Sequence, residues 1–343
     1  MTSPGVFADL VSQRACWHPV AFAAELGGQP MHADLLGEPL VLWRGRDGSP
    51  RVMSDLCVHR GTALSLGRVS GDEIVCAYHG WRYGGSGRCV AIPQLEDPSR
   101  VPAKARVSAF RAQERYGLVW AALEEPRWPL PEVPELEDGW AVVTAGPYRW
   151  GCDAARQVEN FTDFGHFPWV HPGLLGDPER PVVPRHEVRT DGHVLHYTIV
   201  RPEASNTGDY PVFGNEQAGP PERRSRYELH LPYTIALRLG WGGEKGMVYF
   251  FASQPVAADR CAGYVIIGRN YNLDQDDRVI RDFEDTIFGQ DQVVVESQRP
   301  DRVPFDLAAE LHLKFDAVAV AYRKAMRANG LAADTPVGID AGA

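Results

Sequence analysis

Two pairs of cysteine and histidine stand close together in the first third of the chain. Cys57 and His59 are spaced C-x-H, Cys76 and His79 are spaced C-x-x-H, and 16 residues separate His59 from Cys76. Two thiolates and two imidazoles can close a zinc site, or they can hold a [2Fe–2S] cluster with cysteine on one iron and histidine on the other. Zinc would only fasten the loops together, whereas the cluster would carry electrons. Residue types and spacing leave both interpretations open.

A second group of chemically active residues follows further along the chain. Asn160, Asp163 and His166 recur at every third position, which on a helix would place them along one face. Pro168 should end or bend that helix, so that His171 can approach His166. Two imidazoles and a nearby carboxylate would form a 2-His-1-carboxylate triad, which leaves positions on Fe(II) open for oxygen. The alternative is a pair of core histidines that only satisfy backbone groups.

Short strands are the elements predicted to position the first group. The chain has 34 glycines and 27 prolines, which favours strands and loops over a helical bundle. Alternating residues between Pro30 and Asp55 predict two strands joined through Gly45 to Gly48, and residues 107–123 predict a further hairpin. A small β-sandwich carries loops at its ends, and such loops are suited to clamp a metal group.

A proline-rich segment divides the chain. Four prolines fall within the nine residues from Pro126 to Pro134, which excludes a helix or a central strand. A chain of 343 residues also exceeds the size at which a single core usually stops growing. We therefore expect one domain over 1–125, a connector over 126–139 and a second domain over 140–343.

The second domain is predicted to combine a sheet with helices. Strands are expected at 140–150, 184–202, 227–241, 247–255 and 261–271, with a turn at Asp191 and Gly192 inside the second of these segments. Helices are expected at 157–162, 276–298 and 305–329. Together they predict a sheet of several antiparallel strands. The glycine- and proline-rich segment 204–226 is either a substrate lid or a surface insertion.

Composition excludes several classes of function. The 45 acidic and 35 basic side chains give a net charge of −10 with no basic stripe, so nucleic acid is not an expected partner. The first residues lack the pattern of a secretory signal, and no apolar run approaches the ~20 residues of a membrane span. We expect a soluble protein of the cytoplasm.

The cysteines do not form a disulfide scaffold. Six of them are scattered over the chain, too few for that purpose at this length. The four outside the C-x-H and C-x-x-H pairs are expected to be ordinary buried thiols. Cys89 stands out among them because it follows the predicted cluster loops closely in sequence.

The first motif resembles a known domain. The pattern C-x-H-x16-C-x-x-H, which runs into Gly80 and Trp81, is similar to the Rieske domain of oxygenases that hydroxylate or demethylate organic molecules. The resemblance implies that Cys57, His59, Cys76 and His79 bind a [2Fe–2S] cluster. Val58 stands where many relatives have proline, which bears on the rigidity of the loop and not on ligation.

The second motif resembles the mononuclear-iron motif of the same oxygenases. Its pattern, N-x-x-D-x-x-H-x-x-x-x-H, implies that His166 and His171 bind Fe(II) and that Asp163 bridges to the cluster without binding iron. The third ligand in the family is a carboxylate far downstream. Asp291 resembles it, and Glu284 and Asp285 are the alternatives. Asn160 would either cap the helix or steer the iron ligands.

The resemblance is to Rieske non-haem iron oxygenase α-subunits of the vanillate/dicamba demethylase-like homotrimeric type. It implies an α+β fold, with an N-terminal Rieske β-sandwich and a C-terminal catalytic domain whose antiparallel sheet is flanked by helices in a helix-grip-like arrangement. It implies that an NAD(P)H-dependent reductase, directly or through a ferredoxin, supplies electrons. O2 and a small cyclic substrate would then meet at the mononuclear iron, where the substrate is hydroxylated or oxidatively demethylated.

The same resemblance implies a head-to-tail homotrimer, in which the cluster of one subunit serves the iron of the next through His79 and Asp163. Two other classes of protein remain open at this point. A Rieske electron-transfer protein without its own oxygenase chemistry would need only the first motif. A binding protein whose loops are held together by zinc would need neither iron centre.

Overall fold

The computed structural model describes residues 11–137, 139–202, 222–240 and 244–332. These residues form two compact units, one over 14–130 and the other from 131 onward together with residues 11–13. None of the described helices is both long enough and apolar enough to cross a membrane. The domain limits 1–125, 126–139 and 140–343 stay a prediction.

The first unit is built from two antiparallel sheets. The larger has six strands in the order β1-β10-β9-β4-β3-β2, and the smaller has four in the order β5-β6-β7-β8. The strands are β1 His18–Phe22, β2 Met31–Leu35, β3 Glu38–Arg44, β4 Pro50–Ser54, β5 Arg68–Ser70, β6 Glu73–Val75, β7 Arg82–Gly84, β8 Cys89–Ala91, β9 Ala109–Arg115 and β10 Leu118–Ala122. The predicted β-sandwich is confirmed.

Tight turns join several of these strands. The predicted turn from Gly45 to Gly48 is confirmed between β3 and β4, where the NH of Gly48 donates to the carbonyl of Gly45 at 2.9 Å. Tyr116 and Gly117, with φ of 56° and 72°, form the two-residue turn of the predicted β9–β10 hairpin. The sequence did not predict that β2 is a separate strand. A turn joins β2 to β3, and in it Leu36, with φ of 54°, adopts the left-handed conformation.

A group of packed, buried side chains in the first unit reaches the two cysteine loops. Trp43 and Tyr83 are fully buried in it, and the thiols of Cys57 and Cys76 belong to the same cluster of side chains. Cys89 also packs there, 1% exposed. All six cysteines are free and buried, which confirms the prediction of buried thiols outside the motif.

The second unit is a seven-stranded antiparallel sheet with helices. Its strand order is β11-β17-β16-β15-β14-β13-β12. The strands are β11 Ala141–Trp150, β12 Val188–Asp191, β13 Val194–Pro202, β14 Glu222–His230, β15 Thr234–Gly240, β16 Gly246–Ala257 and β17 Arg260–Arg269. The α-helices within the described ranges from residue 131 onward are α1 Ala154–Thr162, α2 Phe167–Val170, α3 Asp277–Val295 and α4 Ala317–Ala328. Helix α1 packs on β16 and β17, and α3 packs on β11. The predicted α+β class, with helices on an antiparallel sheet, is confirmed.

Three elements of this unit differ from the prediction. The single strand expected over 227–241 is two strands, β14 and β15, with a turn between them. The helix expected over 305–329 is only α4, preceded by short 3₁₀ turns at Leu307–Ala309 and Lys314–Asp316, because Asp306 accepts a hydrogen bond from the NH of Ala308 and starts a separate turn. The loop expected over 204–226 is wrong for residues 222–226, which lie in β14, and residues 204–221 lie outside the described ranges.

The predicted helical face of Asn160, Asp163 and His166 is also wrong. Helix α1 ends at Thr162, and Asp163 has extended backbone angles. The Asp163 carboxylate accepts a hydrogen bond from the NH of Gly165 at 2.7 Å, a local turn that competes with the helix. Pro168 does not break a helix but lies in the first turn of α2, where proline is well tolerated.

Candidate metal centres

The two cysteine loops of the first unit share one backbone geometry. In each loop the NH of the cysteine donates to the carbonyl five residues on, at 2.9 Å for Cys57 and 2.8 Å for Cys76. The NH of Gly61 donates to the carbonyl of Cys57 at 2.8 Å, and that of Gly80 to the carbonyl of Cys76 at 3.0 Å. Both glycines have φ of 70°, a left-handed conformation that glycine adopts at little cost. The chain therefore presents two equivalent turns.

The side chains of these turns converge. Cys57 and Cys76 are each 2% exposed, while His59 and His79 are half-buried. The Nδ1 atoms of the two imidazoles lie 3.1 Å apart, and the ring of Trp81 stacks on that of His59 with centroids 4.6 Å apart. Two buried thiols and two facing Nδ1 atoms are a donor set suited to a [2Fe–2S] cluster with mixed ligation.

Tyr83 is a supporting residue that sequence reasoning missed. Its hydroxyl lies 3.1 Å from the sulfur of Cys57. Burial, together with the neighbouring thiols, raises the pKa of Tyr83, so the hydroxyl keeps its proton and can donate to sulfur. Such hydrogen bonds to sulfur tune the potential of a cluster. The only signal in the sequence was an aromatic residue in the strand that follows the second loop.

Two histidines and one aspartate meet in the second unit. His166 and His171 stand at the two ends of the short helix α2, and Asp291 lies on α3. Asp291 Oδ1 is 3.0 Å from His171 Nε2 and 3.4 Å from His166 Nε2. One ligand atom from each residue lies within 4.8 Å of the other two. Helix α3 thus brings a distant carboxylate to the histidines that α2 presents.

These three atoms are buried and make no hydrogen bond to any described residue. Unsatisfied polar atoms in a protein interior are costly, and three of them aimed at one point indicate a missing partner. A divalent cation would satisfy all three. Two imidazoles and one carboxylate are the donor set that non-haem Fe(II) sites use, so the residues present fit that metal.

Neighbouring side chains orient both imidazoles. Gln290 Oε1 lies 2.7 Å from His171 Nδ1, and Asp163 Oδ2 lies 3.3 Å from His166 Nδ1. An oxygen acceptor at Nδ1 holds the ring proton there, which leaves the Nε2 lone pair directed at the centre. Sequence reasoning missed Gln290, although it directly precedes Asp291.

The alternative carboxylates contact tyrosine hydroxyls and not the two histidines. Asp285 accepts a hydrogen bond from Tyr148 at 2.9 Å, and Glu284 accepts one from Tyr249 at 3.1 Å. Asn160 borders the histidines in the last turn of α1. The helix is capped by Asp153 and Asp163, so the capping role considered for Asn160 is wrong.

A pocket opens beside the two histidines. Helix α3 forms one wall, and strands β13 to β16 form the other. The rings of Phe161, Phe167 and Phe288 are part of the pocket lining.

Comparison with known proteins decides the family. The Rieske [2Fe-2S] domain matches residues 16–110, and the vanillate O-demethylase oxygenase C-terminal domain matches residues 150–331. Methylxanthine N1-demethylase NdmA of Pseudomonas putida is 34% identical over 92% of this chain and 88% of its own length. The chain belongs to the Rieske non-haem iron oxygenases.

Two further relatives agree with this assignment. Methylxanthine N3-demethylase NdmB of Pseudomonas putida is 33% identical over 92% of this Rieske oxygenase and 89% of its own chain. The structure of NdmA from Pseudomonas putida CBB5 with caffeine is similar with a TM-score of 0.82, at 32% identity over 93% of this chain and 91% of that one.

These findings confirm the predicted reaction class. This Rieske oxygenase is an oxidoreductase that uses O2 to hydroxylate or oxidatively demethylate a small cyclic substrate. Its cofactors are a [2Fe–2S] cluster and a mononuclear non-haem iron. A bare electron carrier and a zinc-stapled binding protein are not favoured, because the oxygenase C-terminal domain accompanies the Rieske domain.

Proposed function

We propose that this Rieske oxygenase removes a methyl group from a ring nitrogen of a small heterocycle. The observation that carries the proposal is the convergence of His166, His171 and Asp291 at the wall of a largely apolar pocket. The choice of an N-methyl group is supported by NdmA and NdmB, which are N-demethylases and match most of this chain.

The proposal assigns each metal to its residues. Cys57 and Cys76 would hold one iron of the cluster, and His59 and His79 the other. His166, His171 and Asp291 would hold Fe(II), oriented by Gln290 and Asp163. When bound, the two groups supply one-electron storage and oxygen activation.

The pocket residues then place the substrate. Phe161, Phe167 and Phe288 exclude water and hold a flat ring by its faces, so that one methyl group can approach the two histidines. One O2, two electrons and two protons convert the N–CH₃ group to N–CH₂OH and release water. The N–CH₂OH group then breaks its C–N bond, which yields formaldehyde and the N–H product.

We further propose a homotrimer in which Asp163 meets His79 of a second copy. Asp163 is half-exposed and already contacts His166, so it can couple an approaching group to the mononuclear centre. The groove beside Asp163 is lined by Val294, Leu311 and Phe315, which are 45%, 87% and 46% exposed. Exposed apolar side chains around a carboxylate suit a protein partner.

The electron source is proposed to be an NAD(P)H-dependent reductase, acting directly or through a ferredoxin. Histidine ligation raises a cluster potential to about −150 to +300 mV, well above that of ferredoxins with four cysteine ligands. The cluster can therefore accept electrons from such a donor. Because NAD(P)H is a cytoplasmic reductant, we propose that the protein works in the cytoplasm.

A product screen tests this function. The loaded enzyme, a surrogate reductase and NADH are incubated with a panel of N-methylated heterocycles, and products are read by mass together with a formaldehyde assay. The proposal predicts the loss of CH₂ and one formaldehyde per product. A gain of one oxygen, without formaldehyde, would show hydroxylation in its place. Asp291→Ala serves as the inactive control.

A further inference from the structure

Helix α3 carries a second carboxyl group into the substrate pocket. Glu284, Ile287, Phe288 and Asp291 all line it, at the spacing of one helix face. Glu284 and Asp291 are two turns apart, which is about 10 Å along the helix axis. A ring compound that lies along α3 with one end at the two histidines therefore presents its other end to Glu284.

The carboxyl group of Glu284 has spare hydrogen-bonding capacity. The side chain is 4% exposed, and the hydroxyl of Tyr249 donates to its Oε1 at 3.1 Å. No other hydrogen bond to this carboxyl group is made within the described part of the chain. Tyr249 fixes one oxygen, and the other oxygen is left for a ligand in the pocket.

The surroundings keep this group neutral. Burial raises the pKa of Glu284 to about 8, with a smaller contribution from the negative charge of Asp285 and against the effect of the Tyr249 hydrogen bond. Arg201 and Arg223 also line the pocket, and their charges act in the opposite direction. At neutral pH the carboxyl group carries a proton, so its free oxygen is a hydrogen-bond donor.

We propose that Glu284 is a specificity-determining residue. Its carboxyl group donates a hydrogen bond to a carbonyl oxygen or a ring nitrogen of the substrate. That acceptor lies at the end of the substrate remote from the oxidised carbon. The inference rests on the proposed function for the placement of the substrate. It names the substrate class more closely, as neutral N-methyl heterocycles with an acceptor at the far end. An apolar ring would leave the buried donor unsatisfied and is disfavoured.

The test uses two probes and three variants of the full chain with both metal centres loaded. Caffeine has only acceptors, and 1-methylindole is a methylated bicycle without a carbonyl or free ring nitrogen. Glu284→Gln keeps a donor of similar size, Glu284→Leu removes it, and Asp282→Asn changes an exposed carboxylate of the same helix. Dissociation constants are measured by equilibrium dialysis, which does not require turnover.

We expect Glu284→Leu to weaken caffeine binding by about 10-fold and to tighten 1-methylindole binding. Glu284→Gln and Asp282→Asn should stay close to wild type. An acid with a raised pKa is protonated below that pKa and loses its proton above it, so the wild-type affinity for caffeine should fall as the pH rises through about 8. The Glu284→Gln variant, whose amide does not titrate, should show no such fall.

A second measurement needs no ligand. The infrared difference spectrum between wild type and Glu284→Gln at neutral pH should contain the C=O band of a protonated carboxyl group. The absence of that band, or equal caffeine binding by wild type and Glu284→Leu, would overturn the inference. If no N-methyl compound yields formaldehyde while the band and the preference for caffeine persist, the proposed demethylation fails and the role of Glu284 stands.

Discussion

The cluster loops and the mononuclear centre solve the same problem, the placement of metal ligands, by different means. In the loops, all four proposed ligands lie within residues 57–79, and two repeated backbone turns closed by Gly61 and Gly80 position them. In the second unit, the ligand atoms come from α2 and from the distant helix α3, and the side chains of Asp163 and Gln290 orient the rings. The first site depends on local backbone conformation and the second on long-range packing.

The largest effects should come from the ligands themselves. Cys76→Ser should abolish the visible absorbance of the cluster and reduce turnover to background, because the loop loses one of two thiolates. The mononuclear iron should remain, since its ligands lie in the other unit. Absorbance spectra and iron content check this, with Cys89→Ala as the matched buried-thiol control. Full absorbance in Cys76→Ser would contradict the assignment.

Asp291→Ala should have the converse effect. Without its carboxylate the second unit should lose iron and about 100-fold or more of its turnover, because even supporting residues of metal sites commonly contribute factors of that order. The visible spectrum of the cluster should be unchanged. Asp285→Asn on the same helix should retain iron, because the Asp285 side chain contacts Tyr148 and not the histidines. Iron loss in Asp285→Asn alone would reverse the choice of ligand.

Asp163→Ala separates metal binding from electron delivery. Asp163 is half-exposed and lies 3.3 Å from His166 Nδ1, a longer contact than the 2.7 Å between Gln290 and His171. We therefore expect both metals to stay bound in the Asp163→Ala protein while repeated turnover stops. Reduction of the cluster by the surrogate reductase should proceed as in wild type. Normal turnover by the Asp163→Ala variant would contradict the proposed contact between Asp163 and His79 of a second copy.

Gln290→Leu should have an intermediate effect. The loss of its hydrogen bond frees the His171 ring, and iron affinity should fall by about 10- to 100-fold. Gln290→Glu keeps an oxygen acceptor at Nδ1 and should retain most of the affinity. Iron competition with a chelator measures both variants, and equal affinity of Gln290→Leu and wild type would show that packing alone orients His171.

The smallest effect is expected at the turns. Gly61→Ala places a side chain at φ of 70°, which costs about 1 kcal/mol of stability, although the added carbon meets no atom within 4 Å. Gly84→Ala is the control, because its added carbon is 3.7 Å from Val90 and its φ is not positive. The rate of cluster loss on heating compares the two. Equal rates would show that the left-handed turn at Gly61 does not determine how fast the protein loses its cluster.

The same contrast explains what the sequence could predict. The cluster motif is contiguous, and its two cysteines and two histidines were visible from spacing alone. The prediction of a helix through His166 was wrong because the Asp163 carboxylate closes a local turn. The periodicity of the sequence does not indicate such an interaction. Gln290 and Tyr83 were missed because their roles depend on which face of α3 or β7 meets the site, which only the folded packing defines.

Iron and acid-labile sulfide in the fully loaded wild-type protein test the central claim most directly. Two separate centres predict about three irons and about two sulfides per chain, together with the visible spectrum of a [2Fe–2S] cluster. Zinc in place of iron, or about two irons with none lost in Asp291→Ala, would contradict the account.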